Sequence, residues 1–344
     1  MSEAGLSYRA AGVDIDAAAE ALKGVAELVR GTATPDTLSE LGSFGGLYRV
    51  PRDARRPVLV ASTDGVGTKL KVAFLAGRHG TVGEDLVNHC VNDVLVQGAR
   101  PLFFLDYVGV GRLEPGVVET IVGGIARGCR ANGCALLGGE TAEMPDFYAP
   151  GEYDLAGTIV GLVEEDRVVD GAAIRAGDAL VALASDGLHT NGYSLARRIV
   201  FERMGLGVDD PFPGEDGSVA DVLLRVHRSY LRPLLPLIER GVVHGLAHIT
   251  GGGLLDNVPR ILPGGLDARF RRSTWEVPNV FRVLQREGGV DEREMFRAFN
   301  MGVGMVAVVP PEEAEAAVRE LNGAGERAWV AGEVVRGEGK VVLD

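Results

Sequence analysis

Apolar residues along this chain fall into short unbroken runs and longer helical stripes, and their order predicts the elements. Val58-Leu59-Val60-Ala61-Ser62 reads as a strand. It ends in the loop Thr63-Asp64-Gly65-Val66-Gly67-Thr68-Lys69, after which Leu70, Val72, Ala73, Phe74 and Leu75 continue as a helix. Upstream, Ile15, Ala18, Ala19, Leu22, Val25, Ala26 and Val29 recur at helical spacing from a cap at Asp14 to a stop at Gly31, which predicts an amphipathic first helix. From Glu84 to Gln97, Leu86, Val87, Cys90, Val91, Val94 and Leu95 form one apolar side. The other side carries Asp85, Asn88, His89, Asn92 and Asp93, with Asp85, His89 and Asp93 four residues apart on one face. Short amides, carboxylates and an imidazole, in place of lysine and arginine, predict a cleft wall.

Pro101 to Val108 reads as a buried strand and Gly116 to Cys129 as a helix. Ala135-Leu136-Leu137 then forms a strand that ends at the acidic glycine loop Gly138-Gly139-Glu140-Thr141-Ala142-Glu143-Met144-Pro145. Tyr153 to Val163 is a further strand, and the charged run Glu164-Glu165-Asp166-Arg167 with Gly171 predicts a boundary near residue 168, hence domains of 1–168 and 169–344. The second half restarts with the strand Ala179 to Ala184, the loop Ser185-Asp186-Gly187-Leu188-His189-Thr190-Asn191-Gly192 and a helix from about Tyr193. The hydroxyl-Asp-Gly-x-x-Thr core of that loop echoes Thr63 to Thr68. Ala247-His248-Ile249 leads into Thr250-Gly251-Gly252-Gly253 and a helix-like Leu254 to Asn257, a nest suited to an anion. Gly302-Val303-Gly304-Met305-Val306-Ala307 fits a dinucleotide pattern by letters, yet the apolar run continues to Val309 as a strand, so it is read as structural. Pro310-Pro311 opens a terminal helix with Ala314, Ala317, Val318 and Leu321 inward and Asn322-Gly323 as its stop.

Composition narrows what these loops serve. At 344 residues, with 46% hydrophobic and 24% charged, the chain is long enough for two globular domains. Glycine stands out at 49 of 344, about 14%, against a usual share of ~7%, and it gathers in loops where backbone has to approach a ligand. The net charge of −13, without a compensating basic cluster, disfavours nucleic acid. Cys90, Cys129 and Cys134 form no CxxC pair and read as reduced, buried thiols. Met1 to Gly5 lacks a basic segment followed by an apolar one, and no apolar run is long enough to span a bilayer, so a cytoplasmic location is expected.

The loop from Thr63 to Lys69 carries the parts of a phosphate site: glycines for close backbone approach, a lysine as a point charge, and a carboxylate that can hold a divalent ion. It is neither of the common fingerprints. No glycine-lysine pair follows at P-loop spacing, and Leu70 stands where a third dinucleotide-binding glycine belongs.

Six motifs, taken in order, carry a resemblance. They are Leu41-Gly42-Ser43-Phe44-Gly45-Gly46-Leu47-Tyr48, Asp64 to Lys69, Val91-Asn92-Asp93, Gly138 to Pro145, His189 to Ser194, and His248 to Gly253. In this sequence and spacing they resemble the phosphoribosylformylglycinamidine cyclo-ligases, or AIR synthetases, from Leu6-Ser7-Tyr8 through Phe299 to Met305 and on to the C-terminus. The resemblance implies a two-domain fold of the α+β or α/β type. A mixed-sheet first domain pairs with its dimer mate into a closed barrel, and a second α/β sandwich domain flanks it. It implies a homodimer, a small phosphoribosyl substrate, and ATP with Mg²⁺ as cofactors. The implied reaction activates a formamide oxygen by phosphorylation, so that an amidine nitrogen can displace phosphate and close an imidazole ring.

On this resemblance Asp64, Asp93 and Glu140 hold the metal, and Lys69 meets the phosphates. Gly45, Gly46, Gly65, Gly67, Thr68, Asn92, Gly138, Gly139 and Thr141 complete the ATP site. His189 and Asn191 face the reacting end of the substrate, with His189 and His248 as rival proton carriers. Thr250, Gly251 and Gly252 receive the ribose phosphate or support their loop. Asp186, where the family often has another residue, contacts metal or faces water. His79, His227 and His244 receive no role. Two alternatives stay open: another ATP-dependent phosphoryl-activating enzyme of the same superfamily, such as selenophosphate synthetase or thiamine-monophosphate kinase, and a non-catalytic nucleotide-binding regulator. The absence of a cysteine before Cys90 weighs against selenophosphate chemistry.

Overall fold

The computed structural model describes residues 15–344. The motif at Leu6-Ser7-Tyr8, the cap at Asp14 and the side chains of Ile15, Ala18, Ala19 and Leu22 lie outside what is described. Helix α1 (Ile15–Arg30) gives way to a turn at Gly31, with Val25 and Val29 facing the core. Strand β1 (Pro57–Gly65) is followed by a 3₁₀ turn, Gly67–Lys69, and helix α2 (Leu70–Ala76). Next come α3 (Val82–Leu95), β2 (Arg100–Val110), α4 (Pro115–Asn132), β3 (Ala135–Glu143) and β4 (Tyr153–Glu164).

These four strands form one sheet in the order β1-β4-β2-β3. β4 runs antiparallel to both neighbours, and β2 and β3 are parallel because α4 crosses over between them. Helices α3 and α4 pack against each other, α3 lies on the strands, and α1 covers α4. The edge strand β1 alternates, with Leu59, Ala61 and Thr63 exposed and Val60, Ser62 and Asp64 turned toward α3.

β3 is longer than its letters suggest. The segment expected as a loop, Gly138 to Glu143, continues the parallel ladder with β2 past a bulge at Phe104 and Leu105. Two glycines erase the apolar signature of the strand there. Gly139 is required by its neighbour, since a Cβ at that position would collide with the Asp106 carboxylate.

The second sheet has the order β10-β7-β9-β5-β8-β6. Its strands are β5 (Ala179–Ala184), β6 (Gly245–His248), β7 (Leu266–Phe270), β8 (Val303–Val309), β9 (Ala328–Arg336) and β10 (Val341–Leu343). β5 and β8 sit centrally and are almost wholly buried, as unbroken apolar runs should be. Helices α5 (Tyr193–Arg197), α6 (Val219–Leu223), α7 (Leu231–Glu239), α8 (Gly253–Asn257), α9 (Asn279–Gly288), α10 (Glu292–Ala298) and α11 (Ala314–Gly323) complete the unit. Gly302 and Gly304 belong to this packing. A Cβ on Gly304 would strike the Tyr230 hydroxyl and come within 2.7 Å of His189. The architecture is therefore two α+β units. No helix among the described residues is long and apolar enough to cross a membrane.

Candidate active site

The polar side of α3 meets the second domain. Asp85, Asn88, His89 and Asn92 are all buried there. Asp85 accepts the His227 backbone N–H at 2.7 Å, and Asn88 donates to the His227 carbonyl at 2.8 Å. Asn92 donates to the Arg228 carbonyl at 2.8 Å and accepts the Tyr230 N–H at 2.9 Å. Most of the expected cleft wall is thus a clasp on residues 227–230. Only its Asp93 end, with His89, opens to a cavity.

Lys69 corrects an expectation. Its side chain is fully buried and faces away from solvent. The ammonium donates to Asp85 at 2.9 Å, to the His189 carbonyl at 3.1 Å and to the Arg225 carbonyl at 2.6 Å, so its three protons are all used. It does not meet phosphate as a point charge here. Burial pushes the Lys69 pKa down and that of Asp85 up, each opposed by the other's charge. The three acceptors around the ammonium, and the Lys69 and His227 donors on Asp85, offset part of the cost of burying the pair.

A cavity of about 440 Å³ lies between the domains. Its lining includes Ser62, Asp64, His89 and Asp93 from the first domain and His248, Thr250, Asn257 and Arg260 from the second. A chain of contacts links the two carboxylates of this lining. Asp64 meets His89 Nε2 at 2.9 Å, His89 Nδ1 meets Thr190 Oγ1 at 2.8 Å, and Thr190 meets His227 Nδ1 at 3.2 Å. His227 Nε2 lies 3.0 Å from His248 Nε2, and His248 Nδ1 lies 2.9 Å from Asp93, which also accepts from Ser62. Three neutral imidazoles and one hydroxyl supply four protons to these five contacts, so one further proton completes the chain.

Of the three rings, His89 is the one whose basicity is raised. Burial disfavours its charge, but the hydrogen bond and charge of Asp64, with Asp93 and Asp85 nearby, raise its pKa. Burial likewise opposes ionisation of Asp64 and Asp93, yet their histidine partners hold both below the ordinary carboxylate value. Burial lowers His248, and burial with neighbouring cations lowers His227 and His189 well below an ordinary imidazole.

Other expected residues are distributed unevenly. His189 is buried, stacked on His227 at 4.1 Å, and accepts the Asp186 N–H at its Nε2, so it stands behind the cavity rather than on its wall. It adopts a left-handed backbone at φ 61°, held by Lys69 on its carbonyl. Asn191 borders Gly251, whose Cβ would come within 3.3 Å of the Asn191 Oδ1. Asn257 ties the loop together by donating to the carbonyls of Thr250, Gly251 and Gly253. Thr68 meets Ser194 at 3.0 Å, and Gly65 donates to Asp64. Gly45 and Gly46 lie in an exposed segment with Phe44.

Glu140 is a second correction. Gly65, Ala156, Tyr107 and Glu140 stand in one register row across β1, β4, β2 and β3. Three strand spacings separate its ends, roughly 14 Å, so Asp64 and Glu140 do not share an ion within one chain. Gly138, Gly139 and Thr141 lie on the same far strand. The His89, Asp93 and His248 donor atoms instead lie within 4.8 Å of one another. For a hard ion such as Mg²⁺ the fitting donors are the carboxylates of Asp64 and Asp93, with the imidazoles behind them. His227, which the sequence left without a role, is the centre of the chain.

Two family models cover most of the molecule: AIR synthase related protein, N-terminal domain, over residues 46–163, and AIR synthase related protein, C-terminal domain, over 175–344. The phosphoribosylformylglycinamidine cyclo-ligase of Geotalea daltonii is 53% identical over 98% of this chain and 97% of its own length. The chain belongs to the phosphoribosylformylglycinamidine cyclo-ligase family. In fold it is similar to the thiamine-monophosphate kinase of Stenotrophomonas maltophilia (TM-score 0.69, 18% identity, 93% of this chain and 96% of that one). It is also similar to the hydrogenase maturation protein HypE solved in complex with ATP (TM-score 0.65, 22% identity, 92% and 88%).

Proposed function

We infer that this chain converts formylglycinamidine ribonucleotide and ATP to aminoimidazole ribonucleotide, ADP and phosphate, in purine biosynthesis. The observation that carries the reading is the interdomain cavity. Its walls bring together two carboxylates backed by imidazoles and, from the second domain, Thr250 and Asn257, the residue that ties the glycine loop. Asp64 and Asp93 are the residues to hold Mg²⁺, which when bound neutralises charge on the transferring phosphoryl group. The loop at Thr250, Gly251 and Gly252 takes the ribose phosphate, and Asn191 borders it. Of the two rival histidines, His248 lines the cavity and His189 does not, which favours His248 as proton carrier.

The remaining assignments extend the same reading. The junction between the domains falls near residue 168. The exposed Leu59 on edge strand β1 supports pairing of the first domains into a dimeric barrel, since an unpaired edge is otherwise an aggregation hazard. Gly45 and Gly46, in an exposed segment, fold over ATP. The location is cytoplasmic. The test is to supply purified protein with Mg-ATP and formylglycinamidine ribonucleotide and to assay phosphate release and a diazotisable aminoimidazole. Both products are expected in equal amounts. Phosphate release with a different acceptor, and none with this one, overturns the reading in favour of a superfamily relative.

A further inference from the structure

We propose that Arg260 anchors the phosphate monoester of the substrate and so fixes which way round the substrate lies in the cavity. The proposal deepens the reading of the cavity as the substrate site and rests on it. Arg260 lines the same cavity as Asp64, Asp93 and His248, from the turn Val258–Ile261 of the second domain. Among the described residues it is the one arginine or lysine in the lining of that cavity, whereas Arg225, Arg228 and Arg240 are each matched to a carboxylate elsewhere. Arg260 has no such partner among the described residues. It donates one hydrogen bond, to Asn257 Oδ1 at 3.3 Å, which leaves most of its guanidinium donors available.

Asn257 makes the arrangement a unit. It is buried, it ties the carbonyls of Thr250, Gly251 and Gly253, and its oxygen receives Arg260. The guanidinium is therefore oriented by the residue that shapes the loop beside it. Asp64 and Asp93 line the same cavity, and as carboxylates they repel a dianionic phosphate that brings no metal. A planar fork suits a phosphate monoester, and a guanidinium and two carboxylates in one cavity favour one orientation: phosphate at Arg260, reacting formyl and amidine groups toward the acids.

The experiment compares wild type with Arg260→Met and Arg260→Lys. Arg260 is exposed, so both variants are expected to keep the wild-type melting temperature. In steady-state assays KM for formylglycinamidine ribonucleotide is expected to rise about 10- to 100-fold in Arg260→Met, less in Arg260→Lys, with KM for ATP unchanged. A substrate lacking the 5′-phosphate should be penalised in wild type and no further in Arg260→Met. Calorimetry with ribose 5-phosphate should show about 10-fold weaker binding in Arg260→Met, a readout that does not depend on turnover. A rise in KM for ATP instead, an unchanged KM for both substrates, or equal ribose 5-phosphate binding in wild type and variant overturns the proposal. Wild type that binds ribose 5-phosphate through Arg260 yet forms no aminoimidazole upholds the anchor and overturns the reaction.

Discussion

Lys69–Asp85 and Asp64–His89 both pair a basic side chain with a carboxylate between the end of β1 and α3, and their α3 members are one helical turn apart. The first is sealed: neither side chain reaches solvent, and every ammonium proton has an acceptor. The second is open on one side, with 43% of the Asp64 side chain exposed beside the cavity. Similar chemistry within one motif is thereby divided into a fastener and a reactive wall. The contrast teaches that a charged residue in a ligand-like loop has to be located by its unused hydrogen-bonding capacity. Lys69 has none left, whereas Asp64 and Asp93 keep lone pairs toward the cavity.

The strongest way to break this contrast is Lys69→Met. Removing one member of a dry ion pair leaves Asp85 buried and uncompensated, so urea denaturation should show a loss of about 3–5 kcal/mol. The double variant with Asp85→Leu should recover part of it. A Lys69→Met protein of full stability but raised KM for ATP would make Lys69 a phosphate ligand after all. On the open side, Asp93→Asn should lower kcat by on the order of 10²-fold or more, while the denaturation midpoint moves little. Loss of stability comparable to that of Lys69→Met would erase the distinction.

The pH dependence sharpens it further. The Asp64 pKa is lowered on folding, so its contribution is present above the unfolded value of about 3.9 and fades as pH falls through the folded one. That of His89 is raised, so its contribution is present below about 6.5 and fades as pH rises through the folded value. Stability from this pair should therefore be greatest between about pH 4 and 6.5, and His89→Gln should flatten the alkaline limb of a stability–pH profile. The smallest effect is expected for Thr68→Ala, whose exposed contact with Ser194 is worth about 1 kcal/mol or less by thermal denaturation.

Much of the fold was legible because its signals are periodic. The central strands β5 and β8 are unbroken apolar runs, and the α3 stripe from Leu86 to Leu95 is buried as its spacing predicts. The second half of β3 was not legible, because Gly138 and Gly139 carry no side chain with which to show alternation. The site was legible in its residue types and less so in its connections. Asp64, Asp93 and His248 do converge, but nothing near Lys69 in sequence announces that its acceptors are Asp85 and two carbonyls from the other domain. His227 was hidden by its neighbours Arg225 and Arg228, which look like surface, while the backbone around it is gripped by Asp85 and Asn88.

The grip of α3 on residues 227–230 also bears on motion. Asp85, Asn88 and Asn92 each bind backbone of the second domain, so opening the two units like a jaw would strand several polar groups in a dry seam at once. Hinge bending is thus a costly route for admitting substrate. A passage that leaves this seam closed avoids that cost.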